Sequence, residues 1–176
     1  YDAGAAVTTG VRNTIIGGLA GDALNTGSSN VAIGYAALSS EDAHGGNVAI
    51  GYSALKTQDA GADGFNTAIG YDAGTNVTTG TLNTIVGGLA GDALTTGVRN
   101  VAVGFAALSA EDTGRYNTAV GSFALEVLNA DTDAYNTAIG YKAGAAVTTG
   151  VENTLLGGLA GDSLTSGSYN TAVGSR

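Results

Sequence analysis

Asn66-Thr67-Ala68-Ile69-Gly70 is a phrase that the chain repeats, with small changes, from one end to the other. Its opening asparagine recurs at Asn13, Asn30, Asn47, Asn66, Asn83, Asn100, Asn117, Asn136, Asn153 and Asn170. The interval is 17 residues everywhere except after Asn47 and Asn117, where it is 19. A fixed period in this range marks a solenoid in which each repeat is one coil stacked on the next. A longer period lies over it: Tyr1, Tyr71 and Tyr141, 70 residues apart, open the same text. The 176 residues are therefore a single array of about two and a half copies of a four-coil unit.

When each coil is numbered from its Asn, the third, fourth and fifth places hold Ala, Ile or Leu, then Ile, Val or Leu, then Gly. Place two is Thr or Val, so places two and four point to one side of a short β-branched strand and place three to the other. Gly at place five, as in Gly34, Gly51, Gly70 and Gly104, suits a corner with positive φ or a close backbone approach. Place eight is Ala in every complete coil, from Ala20 to Ala160, which identifies a site with room for a methyl group alone. Asp, Glu, Lys and Arg are confined to places seven, ten, twelve, thirteen and fifteen to seventeen. The expectation is a dry half beginning at Asn and a wet half that includes places seven and twelve.

A compensation runs through the second half of the coil. Where place nine is Gly (Gly21, Gly74, Gly91), place twelve is Leu24, Val77 or Leu94. Where place nine is Leu (Leu38, Leu55, Leu108), place twelve is Glu41, Gln58 or Glu111. Each such coil carries one large aliphatic at one of two sites, as expected if both open on one limited core volume. Leu125 with Leu128, in a long coil, departs from the rule.

Composition bounds the rest. With 30 Gly, no Pro, no Trp and 12% charged residues, the chain builds thin layers, and its regular aliphatic phrases argue against disorder. A net charge of −9 repels a phosphate backbone, which excludes nucleic acid as a partner. No apolar run is long enough to insert in a membrane. The absence of Cys excludes disulfides and thiolate metal sites. The chain starts at Tyr1 with neither Met nor a signal peptide, as expected of a segment of a longer protein.

The text from Asn66 to Leu108, NTAIGYDAG…VTTG…NTIVGGLAG…NVAVGFAAL, resembles repeats found upstream of intramolecular-chaperone domains in phage tail fibres and spikes and in related bacterial surface proteins. It is also similar to the shorter head repeats of trimeric autotransporter adhesins. The resemblance implies an all-β parallel β-roll, a β-solenoid of about ten coils, left-handed and associated as a homotrimer. Crossover chirality alone favours the right-handed form. Thin Ala and Gly layers bury little apolar area, so a second face buried against partner chains is consistent with a trimer. About ten rungs at about 4.8 Å make a rod close to 50 Å long.

Site candidates are few. The ten Asn are read as a ladder, each bonding to the turn backbone and to the next Asn, with no cofactor. The 19-residue coils carry Asp59 and Asp63 in one, and Asn129, Asp131 and Asp133 in the other. As the projections on a regular shaft, these loops are the candidate partner contacts. The alternate spacing of Asn129, Asp131 and Asp133 can offer oxygens to Ca²⁺, but Ala134 stands where a calcium loop needs Gly, so they are read as a solvated loop. Aromatics fall at place six (Tyr1, Tyr35, Tyr52, Tyr71, Phe105, Tyr141) and just before Asn (Phe65, Tyr116, Tyr135, Tyr169), where they cover coil edges or a subunit contact, or stack sugar rings. His44, the one histidine, is read as a surface residue in a Gly-flanked turn. With no Cys and one His, and with carboxylates on variable turns, no nucleophile–base pair recurs, so the reading is not that of an enzyme.

The function expected is a structural shaft or head segment of a trimeric fibre, a phage tail fibre or a cell-surface adhesin, acting on the virion or at the cell surface. Two alternatives stand beside it. One is an adhesin head whose roll binds a host glycan or matrix protein. The other is an ice-binding solenoid using Thr78-Thr79, Thr95-Thr96 and Thr148-Thr149, a flank interrupted by Glu41-Asp42 and Glu111-Asp112.

Overall fold

The computed structural model describes residues 2–175. Each NTAI-type phrase forms a three-residue strand, from β1 (Thr14–Ile16) through β5 (Thr84–Val86) to β10 (Thr171–Val173). The ten strands make one parallel sheet in sequence order, and residues of the same place pair: Thr14 with Val31, Ala49 with Ala68, Val86 with Val103. Among the described residues there is no helix. The chain is a parallel β-solenoid.

The core is a narrow column. Place three faces inward, with Ala32, Ala68, Ile85 and Ala102 fully buried, while places two and four face outward. The Ala of place eight forms the opposite wall and is fully buried from Ala20 to Ala143. Places nine and twelve both point between these walls: Leu38, Leu55, Leu108 and Leu125 at one, Leu24, Val77, Leu94 and Leu128 at the other, all buried. A Cβ on Gly74 at place nine would lie 2.9 Å from Ile85 Cδ1 and 3.2 Å from Val77 Cγ2. The two sites do compete for one volume, and overfilling is resisted by a close-packed interior.

Each complete 17-residue coil turns through three left-handed residues, at places seven, nine and seventeen, and in the long coils the last moves to place nineteen, at Phe65 and Tyr135. In the coil of Asn100 these are Ala106 (φ 51°), Leu108 (φ 54°) and Tyr116 (φ 61°). Non-glycine residues in this region are strained by a Cβ–carbonyl contact. The conformation persists because the ladder of inter-coil hydrogen bonds fixes it, for example Ala106 N to Gly88 O at 3.0 Å and Leu108 N to Ala124 O at 3.0 Å. Gly70, at the place-five corner, has φ 144°, and a Cβ there would meet Gly87 O at 2.5 Å. Both reasons for glycine apply at once.

Two expectations are corrected. Place seven is not uniformly wet: Ala36, Ser53 and Ala106 are buried, Ala106 between the coils that carry Leu89 and Phe123 at the same place. Place twelve is interior even when charged, since Glu41, Gln58 and Glu111 are 0% exposed. The reason lies in the next coil. In the coils of Asn13, Asn66 and Asn83 the N–H of place fifteen bonds to the place-thirteen carbonyl of the following coil, as Gly80 N does to Thr95 O at 3.1 Å. Glu41 and Glu111 precede the two 19-residue coils, and their own carboxylates accept that N–H instead, from His44 at 3.0 Å and from Gly114 at 2.8 Å.

Candidate functional site

The repeat builds three side-chain arrays on this scaffold: an asparagine column, aromatic columns, and acidic clusters beside the long coils. In the first, every Oδ1 from Asn13 to Asn153 accepts the backbone N–H of the next Asn, at 2.9 Å for Asn13 to Asn30 and 2.8 Å for Asn66 to Asn83. The ladder thus runs from side-chain oxygen to main-chain nitrogen. Each Nδ2 of the 17-residue coils from Asn13 to Asn153 bonds to the place-fifteen carbonyl of its own coil, as Asn83 does to Gly97 O at 2.9 Å. From Asn30 to Asn153 these side chains are buried, Asn13 and Asn170 being less so. They are structural supports, closed to a ligand.

The aromatics lie outside. Tyr35, Tyr52 and Tyr71 stack face to face at 5.4 and 5.2 Å, each about half exposed. Tyr116 and Tyr135 stack at 4.8 Å, and Arg99 lies over the Tyr116 ring. Phe105, Phe123 and Tyr141 continue the first column edge to face. Tyr1 lies outside the described residues. The Asp72 charge beside it raises the Tyr71 phenol above its ordinary value. Rings that cover one another's faces present mainly edges to solvent.

The long coils bring acids together in two places, four coils apart. In the first, Glu41, Asp42, His44 and Asp59 each place a ligand atom within 4.8 Å of the others. Asp63 is not part of this group: its carboxylate accepts the Gly45 N–H at 2.9 Å. In the second, Glu111, Asp112 and Asp131 converge. With its amide nitrogen turned toward them, Asn129 donates to Asp112 at 3.1 Å and to Asp131 at 3.0 Å. Asp133 turns away to Arg115, 3.8 Å off at the surface, so Asn129, Asp131 and Asp133 do not share one centre. Burial pushes the Glu111 carboxyl up from its ordinary range, against the pull of the Ala130 and Gly114 N–H groups.

His44 is correspondingly not a plain surface residue. Its ring is about a quarter exposed, and Nδ1 lies 3.2 Å from Glu41 Oε1. Sequence reading missed this pairing because Glu41 was assigned to the wet half. The signal that finds it is positional: among the ten coils, Glu stands at place twelve only in the two that precede a 19-residue coil. The carboxylates face one another across coils, at places that the stack fixes. Compared with family models, curated proteins and solved structures, the chain matches none.

Proposed function

We propose that the chain is a structural shaft or head segment of a homotrimeric, left-handed β-roll fibre, of the phage tail-fibre or cell-surface adhesin kind, that supports attachment to a host or surface. The observation that supports this reading most directly is the outer flank of the sheet. Places two and four line it with Val, Thr, Ile and Leu, leaving Ile16, Ile69 and Ile139 57%, 38% and 43% exposed. Place four is Ile, Val or Leu in every coil, so an uninterrupted aliphatic row, flanked by the Thr and Val of place two, runs along the rod. A stripe of that extent belongs to an interaction surface, and three copies meeting along it would exclude it from water. Sedimentation equilibrium at micromolar concentration should then give three times the 17.0-kDa chain mass. A 17.0-kDa species under those conditions overturns the trimer.

The second reading, in which the roll itself binds a glycan or matrix protein, draws on the exposed Tyr35–Tyr52–Tyr71 column. Self-stacking uses the ring faces that a sugar would need. A glycan array that lights up with the wild-type roll and goes dark with Tyr52→Ala would favour it over the shaft.

A further inference from the structure

We propose that Glu41, Asp42, His44 and Asp59 form a binding site for a divalent transition-metal cation of the zinc class. The four ligand atoms lie within 4.8 Å of one another on two adjacent coils. Glu41 is 0% exposed, and its Oε2 has no hydrogen-bond partner. A buried carboxylate oxygen left unpaired is costly and calls for a compensating group. No lysine or arginine pairs with these carboxylates among the described residues.

The molecule contains its own control. In the equivalent cluster four coils on, both Glu111 oxygens are satisfied, Oε1 by Gly114 N at 2.8 Å and Oε2 by Ala130 N at 3.2 Å. There the column at place thirteen reads Asp112 then Asn129, and the Asn129 amide bridges two carboxylates. In the first cluster the same column reads Asp42 then Asp59, so a second anion stands where its twin has a donor. Stacked coils hold such neighbours about 4.8 Å apart, and like charges at that distance repel. A divalent cation offsets that repulsion and supplies the partner that Glu41 Oε2 lacks.

The scaffold holds the ligands in place. The Asp42 carbonyl accepts the N–H groups of Asn25, Thr26 and Gly27 at 2.6, 3.0 and 3.3 Å. Asp59 N donates to Thr78 O at 2.9 Å, and the His44 carbonyl accepts from Asn30 Nδ2 at 3.0 Å. The Asp42 and Asp59 side chains are exposed, which leaves them room to close on an ion from the solvent side. One imidazole with three carboxylates selects a borderline cation, whereas Ca²⁺ and Mg²⁺ favour all-oxygen shells.

The test is titration of chelator-treated protein with ZnCl₂, followed by calorimetry and thermal melting. One equivalent should bind per chain with a rise in Tm. His44→Ala and Asp59→Asn, the latter restoring the twin's residue, should each weaken zinc about 10-fold or more. Asp131→Asn, in the other cluster, should leave zinc binding unchanged. Because neither Asp59 nor His44 is fully buried, the apo variants should melt close to wild type, so that lost binding is not lost folding. The proposal is overturned if zinc produces neither heat nor a Tm shift, if the two variants bind as wild type does, or if CaCl₂ binds at these residues more tightly than ZnCl₂.

Discussion

Asn66 Nδ2 donates to the carbonyl of Gly80, 14 residues on, at 2.8 Å, and so ties the start of its coil to the end. The same closure holds in the other 17-residue coils from Asn13 to Asn153 and fails in the two long ones. There two extra residues carry the carbonyl out of reach, and Asn47 and Asn117 have buried Nδ2 groups with no partner.

This gives an ordered pair of substitutions. Asn83→Ala removes a buried acceptor for Asn100 N and the donor to Gly97 O, whereas Asn47→Ala removes only the acceptor for Asn66 N. Asn83→Ala should therefore be the more destabilising, by about 1 kcal/mol, the net worth of one hydrogen bond. Chemical denaturation of the two variants measures the difference.

Gly70→Ala should be severe. The new methyl meets Gly87 O, a backbone atom that cannot move without shifting the next coil, and φ 144° is closed to alanine. Leu82→Gly should do the opposite. Leu82 is exposed at φ 62° in place seventeen, where Gly46 stands naturally two coils earlier. Relief of a left-handed strain of about 1–2 kcal/mol outweighs glycine's extra unfolded entropy of about 0.5–1 kcal/mol. Melting curves should place Gly70→Ala below wild type and Leu82→Gly above it.

Ala90→Leu, at the inner wall, should overpack at a cost of about 1–3 kcal/mol. Ala106→Leu should cost less even though Ala106 is buried, because Leu89 and Leu159 occupy the same left-handed place, half-buried. Equal melting temperatures for the two variants would remove the inside–outside assignment of places seven and eight.

Stability should also depend on acid in an unusual direction. A carboxyl whose pKa is raised by burial binds its proton more tightly folded than unfolded. Its penalty is therefore absent below the unfolded value of 4.5 and grows as pH rises from there toward the folded value. Glu111 contributes in this sense, and so does Asp92, whose carboxyl burial also pushes up. Melting at about pH 4 and about pH 7.5 should show Glu111→Gln losing less stability with rising pH than wild type. Gln58 at the same place in another coil indicates that an amide can be accommodated.

Much of this was legible in the sequence because repetition turns single residues into columns. The Asn phrase located all ten strands, Ala at place eight marked a wall, and the exchange between places nine and twelve disclosed a shared volume. What stayed hidden depends on neighbours in the stack. Glu41 and Glu111 read as wet because carboxylates usually are, and their burial follows from an acceptor displaced in the following coil. Left-handed turns at Leu89, Ala106 and Tyr116 carry no glycine or asparagine signal, since their strain is held by inter-coil bonds. His44 was misplaced for the same reason as its partner Glu41.

Because the adaptation to a long coil is written in the coil before it, the two cannot be inherited separately. Duplicating the stretch from Asn47 to Phe65 alone would set a long coil upon one that has Gln58 at place twelve, without the carboxylate that meets His44 N and Gly114 N ahead of the two existing long coils. Single coils are thus poor units of growth for this chain. A block that carries its own repair must contain both coils, as the 70-residue four-coil unit does.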